Sequence, residues 1–540
     1  MNLNKLPEIP QNSVVESSHI HSQAYLIGGG IGSLAAAVFM IRDGKLPGEN
    51  VTIFEEASVL GGSLDGGGNP DTGYSLRGGR MLTTDNYECM WALYKTIPSL
   101  HHADKSVFDE TMEFNQTYPS QAMARLVNSH RAALGATSMG FSMQDRTELL
   151  KLNYADEATL ADSRITDWLS PGFFETPFWY MWSTTFAFQA WHSAVEFRRY
   201  LHRFVMEFSR IETLAGVKRT IFNQYDSLVL PLQAWLKSRG VHFLTNCKVT
   251  DLDHTAELEE FRVTAIHYIN QGKNERTIVN ERDLVFVQNG SMTDASSLGS
   301  MTDAPPKLTK DDSGGWTLWE KLAAKRKDFG NPGAFNNCIA QSSWESFTVT
   351  LKNQRFFDMM TCFTGNEPGT GGLVTFKDSN WMMSIVLAHQ PHFPKQPADV
   401  QVFWGYSLFP DRVGNFIPKP MDQCSGEEIL RELCGHLRID PETMASSICI
   451  PCLMPYITSM FMPRLPGDRP LPVPVGSKNL AFISQFVEIP EDVVFTVEYS
   501  VRVAQIAVYQ LLGINLEIPP VTPHDKSLVT QLEVLIKAFK

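Results

Sequence analysis

A glycine-rich turn between two apolar segments constrains the fold of this chain more than any other feature of its sequence. The apolar segment AYLI spans 24–27, and it is followed by GGGIGS, by a helix-forming run that ends at Gly44, and by the segment VTIFEE at 51–56. Strand, glycine turn, helix and strand in this order predict a βαβ unit. Such a unit is typical of proteins that bind a dinucleotide at the end of a parallel sheet.

The glycine turn has the residue sizes that a dinucleotide site needs. Gly28 permits the sharp turn, Gly30 lets the backbone approach a pyrophosphate, Gly32 adds room, and Ser33 is small where the helix packs on the strand. The amides of the following helix would then face the phosphates, an arrangement that the helix dipole favours. Glu55 ends the second strand, where a carboxylate accepts hydrogen bonds from the adenosine ribose.

A second glycine-rich segment favours FAD over NAD as the dinucleotide. EASVLGGSLDGGG follows Glu55 directly, and loops of this composition wrap the pyrophosphate and ribityl chain of FAD in many flavoproteins. The strand, loop and helix predicted over 479–508 would form a second wall of the same site. The alternative is that the glycines at 61–68 belong to a surface loop without a ligand.

Composition and charge limit the classes of function. The chain has 540 residues, of which 43% are hydrophobic and 11% aromatic, and its net charge is −13. This acidic balance argues against a nucleic-acid partner, because phosphate binding needs a concentrated cationic surface. The eight cysteines do not form two CxxC pairs at zinc-ligand spacing, so we expect reduced thiols and no metal site.

The two ends of the chain bear on its location. Residues 1–22 lack the basic start and apolar run of a secretory signal, and no apolar run reaches the roughly 20 residues that a membrane-spanning helix needs. We therefore expect a cytoplasmic protein. The end of the chain, KSLVTQLEVLIKAFK, predicts an amphipathic helix that either docks on its own core or contacts a membrane surface peripherally.

The order of the segments predicts an α/β fold with interleaved domains. We expect a flexible segment 1–22, a Rossmann-like FAD-binding domain of the flavin-monooxygenase or amine-oxidase type built from 23–90, 216–300 and 475–512, and a helical tail 513–540. A mixed α+β substrate-binding domain would take 91–215 and 301–474. The aromatic-rich part of 86–215, apolar on most helical faces, predicts buried helices.

Several long blocks in the same order resemble one known family. GGGIGSLAAAVFMIRDG, RGGRMLTTDNYEC, WHSAVEFRRYLHRF, NQYDSLVLPLQAWL and SQFVEIPEDVVFTVEYSVR resemble the FAD-dependent fatty acid hydratases. This is the oleate hydratase family, also called myosin-cross-reactive antigens. The likeness runs from about residue 24 to 510.

The resemblance implies addition of water to the cis-9 double bond of oleic acid, giving 10-hydroxystearic acid, with FAD in a mainly structural role. Tyr200 matches the family's tyrosine that protonates the alkene, and Met81 stands where the family often has a glutamate that activates water. A thioether is not a useful base, so that role is lost or moved. Nearby candidates, none of them assigned, are Asp65, Thr83, Thr84 and Asp85.

The resemblance also implies binding residues. Gln224 and His392 match residues that hold the fatty acid carboxylate. Two further positions of that motif are polar in the family but are Val386 and Ala388 here, so fewer side chains are able to bind the carboxylate. The positions that match FAD-binding residues are Gly28, Gly30, Ile31, Gly32, Ser33, Glu55, Ser63, Arg80, Val249, Asn289, Gly290, Ser291, Ser484, Gln485 and Phe486.

Two other functions stay open from the sequence. The first is an FAD-dependent oxidoreductase or double-bond isomerase that acts on a lipophilic substrate, and the second is a non-enzymatic carrier on the same fold, like the prenyl-binding escort proteins. The partners expected for the leading function are a long-chain unsaturated fatty acid and water. The chain is expected to be a monomer or a homodimer.

Overall fold

The computed structural model describes residues 21–135, 137–255, 260–490 and 492–539. Most of the segment predicted to be flexible, residues 1–20, lies outside this range. The strands are β1 (Ala24–Ile27), β2 (Val51–Phe54), β3 (Gly66–Asn69), β4 (Gly73–Leu76), β5 (Leu126–Val127), β6 (Ala133–Leu134), β7 (His242–Leu244), β8 (Cys247–His254), β9 (Val263–Asn270), β10 (Lys273–Ile278), β11 (Leu284–Val287), β12 (Ser297–Leu298), β13 (Trp344–Leu351), β14 (Gly372–Phe376), β15 (Met383–Leu387), β16 (Gln401–Ser407), β17 (Ile448–Met454) and β18 (Leu480–Phe482).

Helices connect and cover these strands. They are α1 (Ile31–Arg42), α2 (Glu88–Tyr94), α3 (Val107–Thr117), α4 (Met143–Tyr154), α5 (Glu157–Leu160), α6 (Pro177–Phe186), α7 (Ala194–Arg203), α8 (Val205–Phe208), α9 (Leu230–Ser238), α10 (Gly314–Lys325), α11 (Gly333–Asn336), α12 (Ile339–Ser342), α13 (Arg355–Thr364), α14 (Gly426–Leu437), α15 (Val497–Leu512) and α16 (Leu528–Ala538). A π-helical turn at Tyr225–Val229 leads into α9.

The strands on both sides of the glycine turn lie next to each other in a five-stranded parallel sheet. Its order is β18, β11, β1, β2 and β7, and Ala24 pairs with Val51 on one side and with Leu284 on the other. Helix α1 follows β1 and buries ten of its twelve residues, because its run of alanine and larger apolar side chains is apolar on all faces. The predicted βαβ unit is confirmed, with α1 ending two residues before Gly44.

The strands of this sheet come from widely separated parts of the sequence. β1 and β2 fall before residue 90, β7 and β11 between 216 and 300, and β18 after 475. Parallel pairing brings the carboxyl ends of β1, β2 and β11 to one edge, which is where parallel sheets hold their ligands. The division into domains stays a prediction.

A second, eight-stranded mixed sheet forms the other layer. Its order is β12, β17, β13, β16, β15, β14, β5 and β6, with β14 and β5 parallel and the other neighbours antiparallel. All eight residues of β13 are buried. The short strands β5 and β6 come from the segment predicted to be helical and extend this sheet at one edge.

The hairpin β3–β4 joins the two layers. The backbone N–H of Tyr74 donates to the Thr350 hydroxyl at 2.9 Å, and that of Leu76 donates to the Thr348 hydroxyl at 2.9 Å. Since Thr348 and Thr350 belong to β13, these two bonds attach the hairpin to the second sheet. The segment RGGRM at 77–81 follows directly.

Aromatic side chains fill the helical region, as the sequence predicts. Helix α6 buries seven of its ten residues, and α7 buries eight of its ten. Tyr200 of α7 packs edge-on against Phe186, Phe188 and Phe461 with ring centroids 5.4, 4.9 and 5.6 Å apart. Edge-to-face contacts of this kind fix ring orientation as well as burying apolar area.

The predicted helix at the end of the chain is present as α16. It is held by the Lys537–Glu212 ion pair and by the Arg146 guanidinium, whose Nε donates to the Ala538 carbonyl at 2.8 Å. Its opposite face exposes Leu528, Val529, Leu532, Leu535 and Ile536. Among the helices of the described ranges, none combines the length and the apolar character that crossing a bilayer requires.

Candidate functional site

A groove lined by glycines lies at the carboxyl edge of the parallel sheet. Part of this glycine groove has a volume of about 1130 Å³ and is lined by residues of β1, β2, β8 and their following loops, including Gly28, Gly30, Glu55 and Val249. The loop that contains Gly290 and Ser291 forms the opposite side. The sequence-predicted positions at this end therefore meet in one place.

Steric constraints require glycine in the turn that borders this part of the groove. A Cβ atom on Gly29 would lie 2.5 Å from Leu60 Cδ2 and 2.9 Å from Glu55 Oε2, and Gly28 has φ of +94°, a left-handed conformation that favours glycine. Gly30, the N-cap of α1, offers no capping side chain. The start of such a helix favours an anionic group.

Glu55 is held rigidly at the end of β2. Its Oε2 accepts a hydrogen bond from the Gly29 N–H at 2.6 Å and its Oε1 accepts one from the Ala57 N–H at 2.7 Å. Burial raises the pKa of Glu55, while these two amide donors oppose the rise. Each carboxylate oxygen keeps a lone pair, so Glu55 is able to accept a ribose hydroxyl as well.

The glycine groove continues toward the second sheet. This further part, of about 620 Å³, has Gly30, Gly62, Gln288, Gly290 and Ser291 in common with the first, so the two are continuous. It is lined in addition by Ile31, Gly32, Ser63, Arg80, Ser484, Gln485 and Phe486. A long groove with an amide-rich turn in its middle fits a dinucleotide such as FAD, with the pyrophosphate at α1.

Two predicted cofactor residues lie behind the groove wall rather than on it. The Ser33 hydroxyl donates to the side-chain oxygen of Gln288 at 2.8 Å. Asn289 is fully buried, and its carbonyl and side-chain oxygens accept the Ser484 hydroxyl at 2.8 and 2.9 Å. Both residues support groove-lining neighbours.

Two polar groups of the groove have no signature in the sequence. Gln288 lies against the turn that contains Gly28 and Gly30, and no motif distinguishes this glutamine from a core strand residue. Asp294 accepts hydrogen bonds from the N–H groups of Gly315 and Trp316 at 2.9 and 3.3 Å, and burial raises its pKa to about 7. Its position at the start of α10 depends on a loop whose path the sequence does not reveal.

A second, mostly apolar cavity lies between the second sheet and the helices α6, α7 and α8. This central cavity has a volume of about 940 Å³ and is lined by Met81, Phe186, Tyr200, Tyr406 and Phe495 among others. The Tyr200 hydroxyl donates to the Val494 carbonyl at 2.6 Å. Burial raises the pKa of Tyr200 well above its usual range, so the group is a neutral phenol at physiological pH.

A third cavity, the outer cavity, adjoins the central one. It has a volume of about 680 Å³ and is lined by Gln224 and His392, the two predicted carboxylate-binding residues, and by Val386 and Ala388. The two cavities have Gly78, Gly79, Arg80, Met81 and Trp404 in common. The loop 78–81 and Trp404 therefore border both cavities.

Gln224 and His392 differ in the hydrogen bonds that their side chains already make. The Gln224 side chain makes hydrogen bonds with both the N–H and the carbonyl of Arg80. His392, in contrast, is a residue of the cavity lining. Burial lowers the pKa of His392 to about 4, with His389 adding to the decrease. His392 is thus a neutral hydrogen-bonding group.

Arg219 is a lining residue of the outer cavity that the sequence analysis missed. Its Nη1 has only long contacts, at 3.4 Å to the Ser120 hydroxyl and 3.5 Å to the Gly369 carbonyl, and no carboxylate pairs with it within the described ranges. Burial lowers its pKa to about 10, which leaves it charged at neutral pH. A charged group without an anionic partner is able to bind one.

Arg80 borders all three spaces, namely the glycine groove, the central cavity and the outer cavity. Its guanidinium lies 5.2 Å from the Phe495 ring centroid and 3.5 Å from the Ser63 carbonyl. Burial lowers its pKa to about 10, and its charge acts to lower the pKa of Tyr200. It is thus placed to stabilise a tyrosinate.

The four candidates for the water-activating group near Met81 lie in different surroundings. Thr83 lines the central cavity, Asp65 is paired with Arg77 at 2.6 Å, and Asp85 is paired with Arg210 at 2.8 Å. Thr84 is exposed. Met81 itself lines the two apolar cavities, and its carbonyl accepts the Tyr87 hydroxyl at 3.1 Å.

All eight cysteines are free thiols, including Cys449 and Cys452. Over the described parts of the chain, histidine, cysteine, aspartate and glutamate side chains do not gather in any group of three or more that is suited to hold a metal ion. The titratable groups of the site are therefore those that line the groove and the two cavities.

The fold and the site define an α/β protein in which a glycine-lined groove adjoins a buried apolar space with a few polar groups. The chain belongs to the MCRA family, whose family model matches residues 21–509. The family predicted from the sequence motifs is thereby confirmed.

Curated relatives match nearly the whole chain. One is an oleate hydratase from Streptococcus pyogenes serotype M49 (strain NZ131), 39% identical over 529 residues that cover 96% of this chain and 89% of that relative. Another is a linoleate hydratase from Lactiplantibacillus plantarum, 35% identical over 566 residues that cover 96% of this chain and 99% of that relative.

A solved structure has a similar fold. It is a CLA-producing fatty acid isomerase from P. acnes, with a TM-score of 0.50 and 12% sequence identity, and the match covers 91% of this chain and 98% of that one. At this identity the likeness bears on the fold alone, and it confirms the predicted fold class.

Proposed function

We propose that this protein is a fatty acid hydratase, a hydro-lyase that adds water to a cis double bond of a long-chain unsaturated acid such as oleate. The observation that carries the proposal is that two cavities adjoin, the central one lined by Tyr200 and the outer one lined by Gln224, His392 and Arg219. A proton donor in apolar surroundings thus adjoins a cavity whose polar groups are able to bind a carboxylate. The relatives that are named hydratases point to the same reaction.

Tyr200 is proposed as the proton donor. Protonation of an unactivated alkene needs an acid in a dry pocket, since water would otherwise compete for the proton. Burial weakens a phenol as an acid, but Arg80 opposes this by stabilising the tyrosinate. The bond from the Tyr200 hydroxyl to the Val494 carbonyl holds the oxygen in place until the substrate is bound.

The outer cavity is proposed to bind the carboxylate of the fatty acid. Arg219 supplies a positive charge, and His392 is able to donate one hydrogen bond as a neutral imidazole. Val386 and Ala388 add apolar contacts only. Charge from Arg219 thus replaces hydrogen bonds that polar side chains at 386 and 388 would supply.

The glycine groove is proposed to bind FAD. The amides at the start of α1 would hold the pyrophosphate, Glu55 the ribose, and the segment Ser484–Phe486 the far wall. Bound FAD would complete the polar side of the site, and hydration itself transfers no electrons. Arg80 would then lie between the cofactor and the substrate.

The test is incubation of the purified protein with oleate, FAD and a reductant in water enriched in heavy oxygen, followed by mass analysis of the product. A hydratase gives 10-hydroxystearic acid, heavier than the substrate by one molecule of labelled water. An isomerase product has the substrate's mass, and a desaturase product has lost two hydrogen atoms. Either of these results, or unchanged oleate, would contradict the proposal.

Helix α16 is proposed to contact a lipid surface from one side. The exposed fractions of Leu528 and Val529 are 81% and 69%, and Leu532, Leu535 and Ile536 continue the same face. Apolar area of this kind is stabilised at the headgroup boundary of a bilayer. Cosedimentation with phosphatidylglycerol vesicles should therefore be lost in the variant Leu532→Ser/Ile536→Ser, and equal cosedimentation would refute the contact.

A further inference from the structure

The central cavity contains a carboxyl group that lies outside the sequence-predicted site. Among the described residues that line this cavity, Glu207 is the one with a carboxylate side chain. The remaining polar side chains of the lining are hydroxyls, as in Thr83 and Ser346, and the guanidinium groups of Arg77 and Arg80. A hydroxyl is a weak base at neutral pH, whereas a carboxylate accepts a proton readily.

Glu207 and Tyr200 lie on two successive helices, Tyr200 on α7 and Glu207 on α8. The two residues are seven positions apart, and Phe204 lies between them, with its N–H donating to the Tyr200 carbonyl and its own carbonyl accepting the Glu207 N–H, both at 2.9 Å. Phe204, with φ of −109° and ψ of 28°, separates the two helices, and all three side chains line the central cavity. Tyr200 and Glu207 therefore border the same space from two successive helices.

One oxygen of Glu207 is held and the other is available. Arg210 Nη2 donates to Glu207 Oε1 at 2.6 Å. Oε2 receives no hydrogen bond from the residues that the structure describes. The side chain is nearly buried, at 4% exposure, and burial raises its pKa despite the nearby Arg210. The environment therefore orients the carboxylate and makes it a stronger base than an exposed glutamate.

We propose that Glu207 orients and deprotonates the attacking water, the task for which Met81 has no suitable group. The inference rests on the proposed hydratase function. In the step, the alkene π bond breaks, one carbon takes the proton of the Tyr200 hydroxyl, and the water oxygen bonds to the other carbon. The second proton of that water goes to Glu207 Oε2. Transfer of this proton to the Tyr200 oxygen restores both groups, and the net change is addition of one water.

The position of Asp85 provides a matched control. Arg210 Nη2 contacts both Glu207 at 2.6 Å and Asp85 at 2.8 Å, but Asp85 does not line the central cavity. If Glu207 acted only by holding Arg210, loss of either carboxylate would have a similar effect. If it acts on water, only Glu207→Gln should affect the chemical step.

The experiment compares steady-state hydration of oleate by the FAD-loaded wild type, Glu207→Gln, Asp85→Asn and Met81→Glu/Glu207→Gln. We expect Glu207→Gln to lower kcat about 100-fold with KM and flavin affinity within about threefold of wild type, and Asp85→Asn to keep at least about a third of kcat. A glutamate at 81 should restore kcat at least about tenfold, since it offers a carboxylate to the same cavity. A structural defect would not be rescued in this way.

The inference is overturned if Glu207→Gln keeps kcat within about threefold of wild type, or if Asp85→Asn is equally slow and the double variant shows no recovery. Should Glu207→Gln fail to fold, Glu207→Asp is the second variant. It retains the negative charge opposite Arg210, but its side chain is one methylene shorter, which shifts the carboxylate oxygens. It should lower kcat about tenfold, and an unchanged kcat would refute the inference. Absence of hydration by the wild type contradicts the proposed function instead, so the two failures are distinguishable.

Discussion

The side chain of Gln224 binds the peptide of Arg80 on both sides. Gln224 Oε1 accepts the Arg80 N–H at 2.9 Å, and Gln224 Nε2 donates to the Arg80 carbonyl at 2.5 Å. These two residues are 144 positions apart in the sequence. The pair fixes the loop 77–81 at the place where the glycine groove and the two apolar cavities meet.

This relationship predicts that Gln224 affects both ligands. Gln224→Ala removes two hydrogen bonds to the Arg80 backbone and should weaken flavin binding as well as raise KM for oleate, each about tenfold, because Arg80 borders both sites. Flavin titration by fluorescence and steady-state kinetics measure the two effects. A change in KM alone would mean that Gln224 acts on the carboxylate and not on the loop.

Tyr200→Phe should abolish hydration and leave flavin binding unchanged. The substitution removes the proposed proton and the bond to the Val494 carbonyl but keeps the aromatic packing with Phe188. Product formation from oleate and flavin titration are the two measurements. Tyr180→Phe makes the same chemical change on α6, at a hydroxyl bonded to Glu175, and should hydrate normally. Retained turnover in Tyr200→Phe would rule out the acid role.

Met81→Glu should leave kcat at or above the wild-type value. The substitution places a carboxylate in the central cavity, where it has access to the same water as Glu207. Met81→Leu, which adds no polar atom, should have the wild-type kcat. A collapse of activity in Met81→Glu with unchanged flavin affinity would indicate that the cavity requires an apolar side chain at this position.

Arg219→Met should raise KM for oleate about tenfold with little change in kcat, because it removes the proposed positive charge but keeps the apolar stem. Oleyl alcohol, which has no carboxylate, provides the control substrate. The wild type and the variant should hydrate it with similar KM. An equal loss with both substrates would show that Arg219 supports the cavity wall instead of binding the carboxylate.

His192 predicts a dependence of stability on pH. It is fully buried beside Phe461, its Nδ1 accepts the Gln189 N–H at 3.0 Å, and burial lowers its pKa to about 3. The unfolded state, with a pKa near 6.5, therefore binds more protons between about pH 3 and 6.5, and stability falls as the pH is lowered through this range. Its contribution is up to about 1.4 kcal/mol per pH unit.

The variant His192→Asn tests this dependence, because its side-chain oxygen is able to accept the same N–H without titrating. The free energy of unfolding from denaturant melts should fall less steeply with decreasing pH in the variant than in the wild type. Parallel curves for the two proteins would contradict the assignment.

The parts of the fold that depend on local pattern were predictable from the sequence. Glycine spacing and two apolar runs predict β1, α1 and β2, and the placement of Glu55 follows from the end of a strand. The aromatic run over 177–186 predicts a buried helix because no face is polar.

The composition of the cavities was not predictable in the same way. Glu207 and Arg219 lie in the cavity linings only because elements far apart in the sequence pack together, and neither residue has a motif around it. The edge strands β5 and β6 are two residues long, too short for a period-two pattern to be visible. Ser33 and Asn289 match a motif yet lie behind the groove wall, since motifs record sequence position and not exposure.

The attachment of the hairpin β3–β4 to Thr348 and Thr350 of β13 has a thermodynamic consequence. The loop 77–81 begins at this hairpin, and Gln224 holds it at Arg80. Because Arg80 borders both the glycine groove and the apolar cavities, a shift of Arg80 caused by flavin changes the space for the fatty acid, and the reverse holds too. Linkage requires that the factor by which bound flavin changes the affinity for fatty acid equals the factor by which fatty acid changes the affinity for flavin. Binding of either ligand therefore changes the affinity for the other by the same factor, whichever of the two binds first.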